Sequence, residues 1–115
     1  MERLLFPYFP YTDPPQSLFP QRIPTAFIYT MNVTAEQAQE WGYQQLFDQH
    51  QKLLEMVFGA AASLCCYDTL QFKDYAKVVA DRFDPERKAR RRREVFPKDC
   101  DQALALGSRL VLERV

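Results

Sequence analysis

The chain has 115 residues, enough for one domain with a modest core and too few for two. Hydrophobic residues make up 47% and charged residues 26%, which argues against global disorder. Fifteen basic residues balance fifteen acidic ones, so net charge gives no reason to expect nucleic acid or an anionic membrane as partner.

The first residues, Met1-Glu2-Arg3-Leu4-Leu5-Phe6-Pro7, form a poor secretory signal, with an early acid, early proline and no small-residue cleavage pattern. The longest apolar run, Met56 to Tyr67, falls short of the roughly 20 residues that cross a bilayer. A cytoplasmic protein with no membrane span is therefore expected.

Residues 2–6 read as the last turn of a helix. Six prolines from Pro7 to Pro24 exclude a continuous helix or central strand there. The same segment, 6–24, carries Phe6, Tyr8, Phe9, Tyr11, Leu18, Phe19 and Ile23. So many apolar groups suit a loop packed on a surface, its own core or a partner.

A first strand is predicted at 25–30, after Pro24 biases Ile23 to extended geometry. Thr34 and Gln37 have capping-box spacing, and Tyr43, Leu46, Phe47, His50, Leu53, Leu54 and Val57 recur at helical spacing. One helix is thus predicted over 34–58, with Gly59 as its stop. His50 falls on the apolar stripe, where a hydrogen-bonded, partly buried ring is the simpler reading than a catalytic base.

A second strand is predicted at 61–67, with neighbouring Cys65 and Cys66 on opposite faces. The three cysteines and single histidine make neither a disulfide framework nor a metal-ligand pattern. Residues 71–82 fit a short helix or an irregular excursion. Asp84-Pro85-Glu86 opens a helix over 85–95, Pro97 ends it, and a last helix covers 99–114. On that helix Ala103, Leu106, Gly107, Leu110 and Val111 share a face, with Gly107 suited to close packing on a sheet. The cations at 87, 88 and 90–93 are flanked by Asp81, Asp84, Glu86, Glu94, Asp99 and Asp101. They read as a solvated helix face, with a nucleotide or protein contact, and then nucleic acid, as the alternatives.

Strand, helix, strand is one βαβ crossover, and open α/β sheets bind ligands beyond the carboxyl ends of their strands. Neither strand alternates polar with apolar, so each expects cover on both faces. Two parallel strands leave two open edges. No Gly-rich phosphate turn follows either strand. The chain is thus expected to complete its sheet with a partner or with further strands of a longer protein.

Five blocks in order carry a resemblance. They are Glu2-Arg3-Leu4-Leu5-Phe6-Pro7, Ile28-Tyr29-Thr30-Met31-Asn32, Tyr67-Asp68-Thr69-Leu70-Gln71-Phe72-Lys73-Asp74-Tyr75, Phe83-Asp84-Pro85-Glu86-Arg87-Lys88-Ala89 and Glu94-Val95-Phe96-Pro97-Lys98-Asp99. Together they resemble the flavodoxin-like NAD(P)H-dependent FMN reductases, including the iron–sulfur flavoprotein branch. The resemblance implies the carboxyl-terminal part of that fold, from a truncated gene or a start codon placed too late. It would lack the FMN phosphate loop, a third strand with its flavin-bordering loop, and the cluster cysteines.

The implied chemistry is reduction of FMN by NAD(P)H and transfer to an acceptor, with homo-oligomers among full-length relatives. Thr30, Met31 and Asn32 would then lie at the flavin edge, with Tyr67, Asp68 and Thr69 after the next strand. Asp68 equally suits a turn cap, and no catalytic acid or base is named. The alternative is a non-enzymatic interaction module that completes a partner's sheet.

Overall fold

Eight residues after the proline-rich segment form strand β1, Ile23–Thr30, and eight more form β2, Gly59–Cys66. They pair in parallel, from Ile23 opposite Gly59 to Thr30 opposite Cys66. The computed structural model describes residues 1–79 and 81–113, and these make a mixed α/β fold with two parallel strands and five helices.

Each strand starts two residues earlier than its sequence predicts, and β2 ends one residue sooner. Gly59 explains the early start of β2. Its φ of +106° ends the preceding helix, its N–H still bonds to the Glu55 carbonyl, and the next residue is already extended. A side chain there would meet the Arg22 guanidinium, which donates to the Gly59 carbonyl at 3.1 Å. At the other end, Asp68 at φ +55° turns the chain out of the sheet, leaving Tyr67 beyond the ladder.

The long helix expected over 34–58 is two helices. The first, α2, spans Ala35–Glu40, and the second, α3, spans Tyr43–Phe58. Gly42 makes the break: at φ +76° it adopts the left-handed conformation that costs a side-chain-bearing residue about 1–2 kcal/mol. The capping box forms as read, with Gln37 N–H donating to Thr34 Oγ1 and Thr34 N–H to Gln37 Oε1.

Helix α3 buries Phe47, Leu54, Val57 and Phe58. Leu5, from the short helix α1 (Glu2–Leu5), joins this core, with Phe27 and Ala61 of the sheet against it. The proline-rich loop, which includes a 3₁₀ turn at Phe6–Tyr8, packs Tyr8, Phe9 and Phe19 onto the same cluster. Ser17 Oγ ties it down by donating to the Val57 carbonyl at 2.8 Å. Phe6, Tyr11 and Leu18 remain exposed, Tyr11 almost fully at 99%.

After β2, the described part of 71–82 holds one 3₁₀ turn, Tyr75–Lys77; Ala80 lies outside the described residues. Helix α4, Pro85–Glu94, starts where expected, Asp84 accepting from the Glu86 and Arg87 N–H groups. Helix α5, Phe96–Leu112, begins three residues before its predicted start. Pro97 sits in its first turn, where a missing N–H leaves no bond unmade. The expected end at residue 114 lies outside the described residues.

Helix α5 lies on the sheet face opposite α3, burying Leu106. Gly107 is not at a close approach: an added Cβ would meet nothing within 4 Å. Val111, expected on the inward face, is 78% exposed.

The molecule is loosely built. Its 8786 Å² of accessible surface compares with roughly 6,500 Å² for a compact chain of its mass. Its radius of gyration is 17.6 Å, against about 13 Å for a compact domain of this length. Much of the apolar surface that normally lies inside is therefore in contact with water.

Candidate functional site

The carboxyl ends of β1 and β2 are laced together by backbone. Met31 N–H donates to the Cys66 carbonyl at 3.0 Å, extending the parallel ladder one step. Thr69 N–H and its hydroxyl both donate to the Met31 carbonyl, at 3.0 and 3.1 Å. Asp68 N–H donates to the Val33 carbonyl at 2.8 Å.

Helix α4 clamps the laced loops from the side. Lys88 is only 3% exposed, and its ammonium lies 2.6 Å from Asp68 Oδ1 while also donating to the Asn32 carbonyl. Arg87 Nη2 takes the other carboxylate oxygen at 3.0 Å. Burial by itself pushes the Asp68 carboxyl up, but the hydrogen bonds and charges of Lys88 and Arg87 outweigh it and hold it below the usual carboxylate value. The inward turn of Lys88 corrects the reading of 87–93 as a wholly solvated face.

A second ion pair lies nearby. Arg91 Nη2 contacts Asp99 Oδ2 at 2.8 Å, and the Cys66 thiol donates to the same oxygen at 2.9 Å. Burial, then the Asp99 carboxylate, pushes the Cys66 thiol up to about 11, with Arg91 opposing. Cys66 is thus held as a neutral thiol, which removes it as a nucleophile.

The six residues singled out at the strand ends have different fates. Asn32 and Asp68 line one polar cavity of about 190 Å³. Met31 and Thr69 bond to each other, while Thr30 ends β1 in an exposed position. Tyr67 turns the other way and lines a separate cleft with Ala38 and Phe47. Burial, then the nearby Cys65, raises its phenol.

The cavity also draws in Trp41 at the α2–α3 break, Arg82 and Phe83, which the pattern did not single out as site residues, together with Arg87 and Lys88 of the cation run, for which a nucleotide or protein contact was the alternative reading. Arg82 lies 5.8 Å from the Trp41 ring centroid and Lys88 5.1 Å from that of Phe83. A signal for Lys88 exists in retrospect: Lys88, Arg91 and Val95 share one helical stripe beginning one turn after the Asp84 cap. Nothing local says which carboxylate meets them.

His50 stands apart on the α3 face. Its Nδ1 lies 3.0 Å from the Tyr29 hydroxyl, and it is partly buried, as its place on the apolar stripe implies. Among the described residues, no group of three His, Cys, Asp or Glu side chains could hold a metal ion. None of the described helices is long and apolar enough to cross a membrane.

Fold and site define a mixed α/β protein with a polar, cation-rich cavity at the carboxyl ends of a parallel strand pair. No family model, curated protein or solved structure matches the chain.

Proposed function

We propose that the chain supplies part of a flavodoxin-like, FMN-dependent NAD(P)H oxidoreductase and is inactive alone. In this reading the loops after β1 and β2 border the flavin ring. Further strands, added along the free edge of β1, grip the cofactor's phosphate.

The observation that carries the reading is the free β1 edge beside the laced loops. Met31 turns both its N–H and its C=O toward β2 and its exit loop. Backbone groups alternate along a strand, so those of residues 24, 26, 28 and 30 point outward. Pro24 has no N–H to leave unpaired there, which suits an edge position, but Ala26, Ile28 and Thr30 present an uncharged ladder. Ile28 is 55% exposed. The surplus of accessible surface is what a shared sheet would cover.

The residues of the two strand-exit loops fit the ring. Thr30 is exposed at the end of β1, Asn32 lines the cavity with its amide donating to Gln71, and Met31 and Thr69 hold the two loops in register. Asp68, committed to Lys88 and Arg87, is a brace for the loops, not a ligand. When bound, FMN supplies the two-electron chemistry, and the protein's share is orientation and exclusion of water.

The test is a titration of the isotope-labelled chain with riboflavin and with FMN, read from amide chemical shifts. Weak, millimolar binding is expected of both flavins, with shifts centred on residues 30–32 and 67–69. Absence of shifts there would end the flavin reading. Tight binding of FMN but not riboflavin would place the phosphate grip within this chain and overturn the shared-sheet part.

A further inference from the structure

We propose that the cavity between the α2–α3 break and α4 is an oxyanion site for a phosphomonoester carried on a flat heteroaromatic ring, a nucleoside monophosphate in its simplest form. The juxtaposition of Arg82, Arg87 and Lys88 with Trp41 and Phe83 carries the inference, independently of any flavin.

Charge comes first. Three cations and two carboxylates, Asp68 and Asp84, line the cavity, leaving one positive charge in excess. Asp84 is occupied in capping α4, and Asp68 is shared between Lys88 and Arg87. Among the described residues Arg82 meets no carboxylate and rests on the indole of Trp41 instead. Arg87 uses only one terminal nitrogen on Asp68 and is half-exposed, so the rest of its fork is open. Two guanidinium groups with spare donors suit a phosphate's tetrahedral oxygens better than a single carboxylate's pair.

Size and shape come next. About 190 Å³ is below the roughly 300–1,000 Å³ that encloses a whole drug-sized ligand, so the cavity takes a head group. The ring it carries then lies outside, where Trp41 is partly exposed. Binding amounts to an exchange. The Arg82 guanidinium leaves the indole face for the phosphate, and the flat base replaces it on that face.

Trp41 is the only tryptophan in the chain, so its fluorescence reports this site directly. The chain is titrated with adenosine 5′-monophosphate, with adenosine and with inorganic phosphate. The monophosphate is expected to change the emission saturably in the millimolar range or below, and added salt should weaken it. Adenosine should bind at least about tenfold more weakly, the usual consequence of losing charge-assisted hydrogen bonds. Inorganic phosphate should compete while changing the emission less.

Arg82→Gln, at an exposed position, should keep the far-UV circular dichroism and lose about tenfold in affinity. Arg82→Lys should recover part of it. Equal responses to adenosine and its monophosphate, or an Arg82→Gln variant that binds like the parent, would overturn the proposal. So would the lack of any saturable response. Because no flavin is present, failure here and failure of the flavin titration are separate results.

Discussion

The two faces of the sheet are held by different forces. Against α3, Tyr8, Phe19 and Phe58 stack edge to face at centroid distances of 5.1 and 4.7 Å, and Tyr29 lies on Phe47 at 4.0 Å. Leu54 and Val57 complete that side. Against α4 and α5, Leu106 is the one buried aliphatic side chain of either helix among the described residues, and ion pairs at 2.6–3.0 Å hold the strand ends. Apolar burial is non-directional and supplies stability. Buried ion pairs gain little net stability after desolvation, but they fix positions closely. The α3 face therefore holds the molecule together, while the α4 side sets where the strand-exit loops sit.

The contrast breaks first at Phe58, which is 5% exposed and central to the aromatic stack. Phe58→Ala is expected to remove about 3–5 kcal/mol, read from urea unfolding. A loss under about 1 kcal/mol would mean that this face is not the main source of stability.

A smaller but more diagnostic loss is expected from Asp68→Asn. It strips the carboxylate from the buried Lys88 ammonium, a change that typically costs about 3 kcal/mol at neutral pH. The double change Asp68→Leu with Lys88→Met should cost less than Asp68→Asn, because no buried charge is then left alone. The folded Asp68 carboxyl titrates below its unfolded value, so its contribution is fully present above about pH 4 and lost as pH falls through the folded value. Parent and Asp68→Asn should accordingly converge in stability under strongly acid conditions. A gap that stays constant with pH would show that the ion pair is not its source.

The smallest effect sharpens the comparison at Cys66. A thiol raised to about 11 in the fold stabilises it below the ordinary value of 9.0 and loses that contribution as pH climbs from there to about 11. At pH 8 a thiol reagent should modify exposed Cys100 rapidly and leave Cys66 untouched in the folded chain. Equal rates at the two would contradict the buried Asp99 contact.

Local signals in the sequence are legible where their partners are near neighbours. The Thr34–Gln37 box and the Asp84 cap each need only the next three residues, and both form. The amphipathic stripe of α3 and the parallel strand pair follow from periodicity and from the crossover between them. Gly42 was legible too, as the residue able to take a left-handed turn inside a continuous apolar pattern, yet the pattern on either side masked it. At the site, Asn32 and Asp68 were within reach because they follow strands. Their use as anchor points for Lys88 was not, since a run of six cations offers several phases and nothing adjacent selects one.

By itself the amino-acid sequence determined most of the elements, their order and the polar character of the strand ends, because capping, periodicity and strand propensity act over a few residues. Tertiary structure alone decided that Lys88 and Arg91 turn inward, that Asp68 is a brace, and that Trp41 meets Arg82. Those outcomes depend on which charges and rings distant segments bring within a few ångströms. Coulomb and packing energies at that range are set by helix placement against the sheet, which no local pattern encodes.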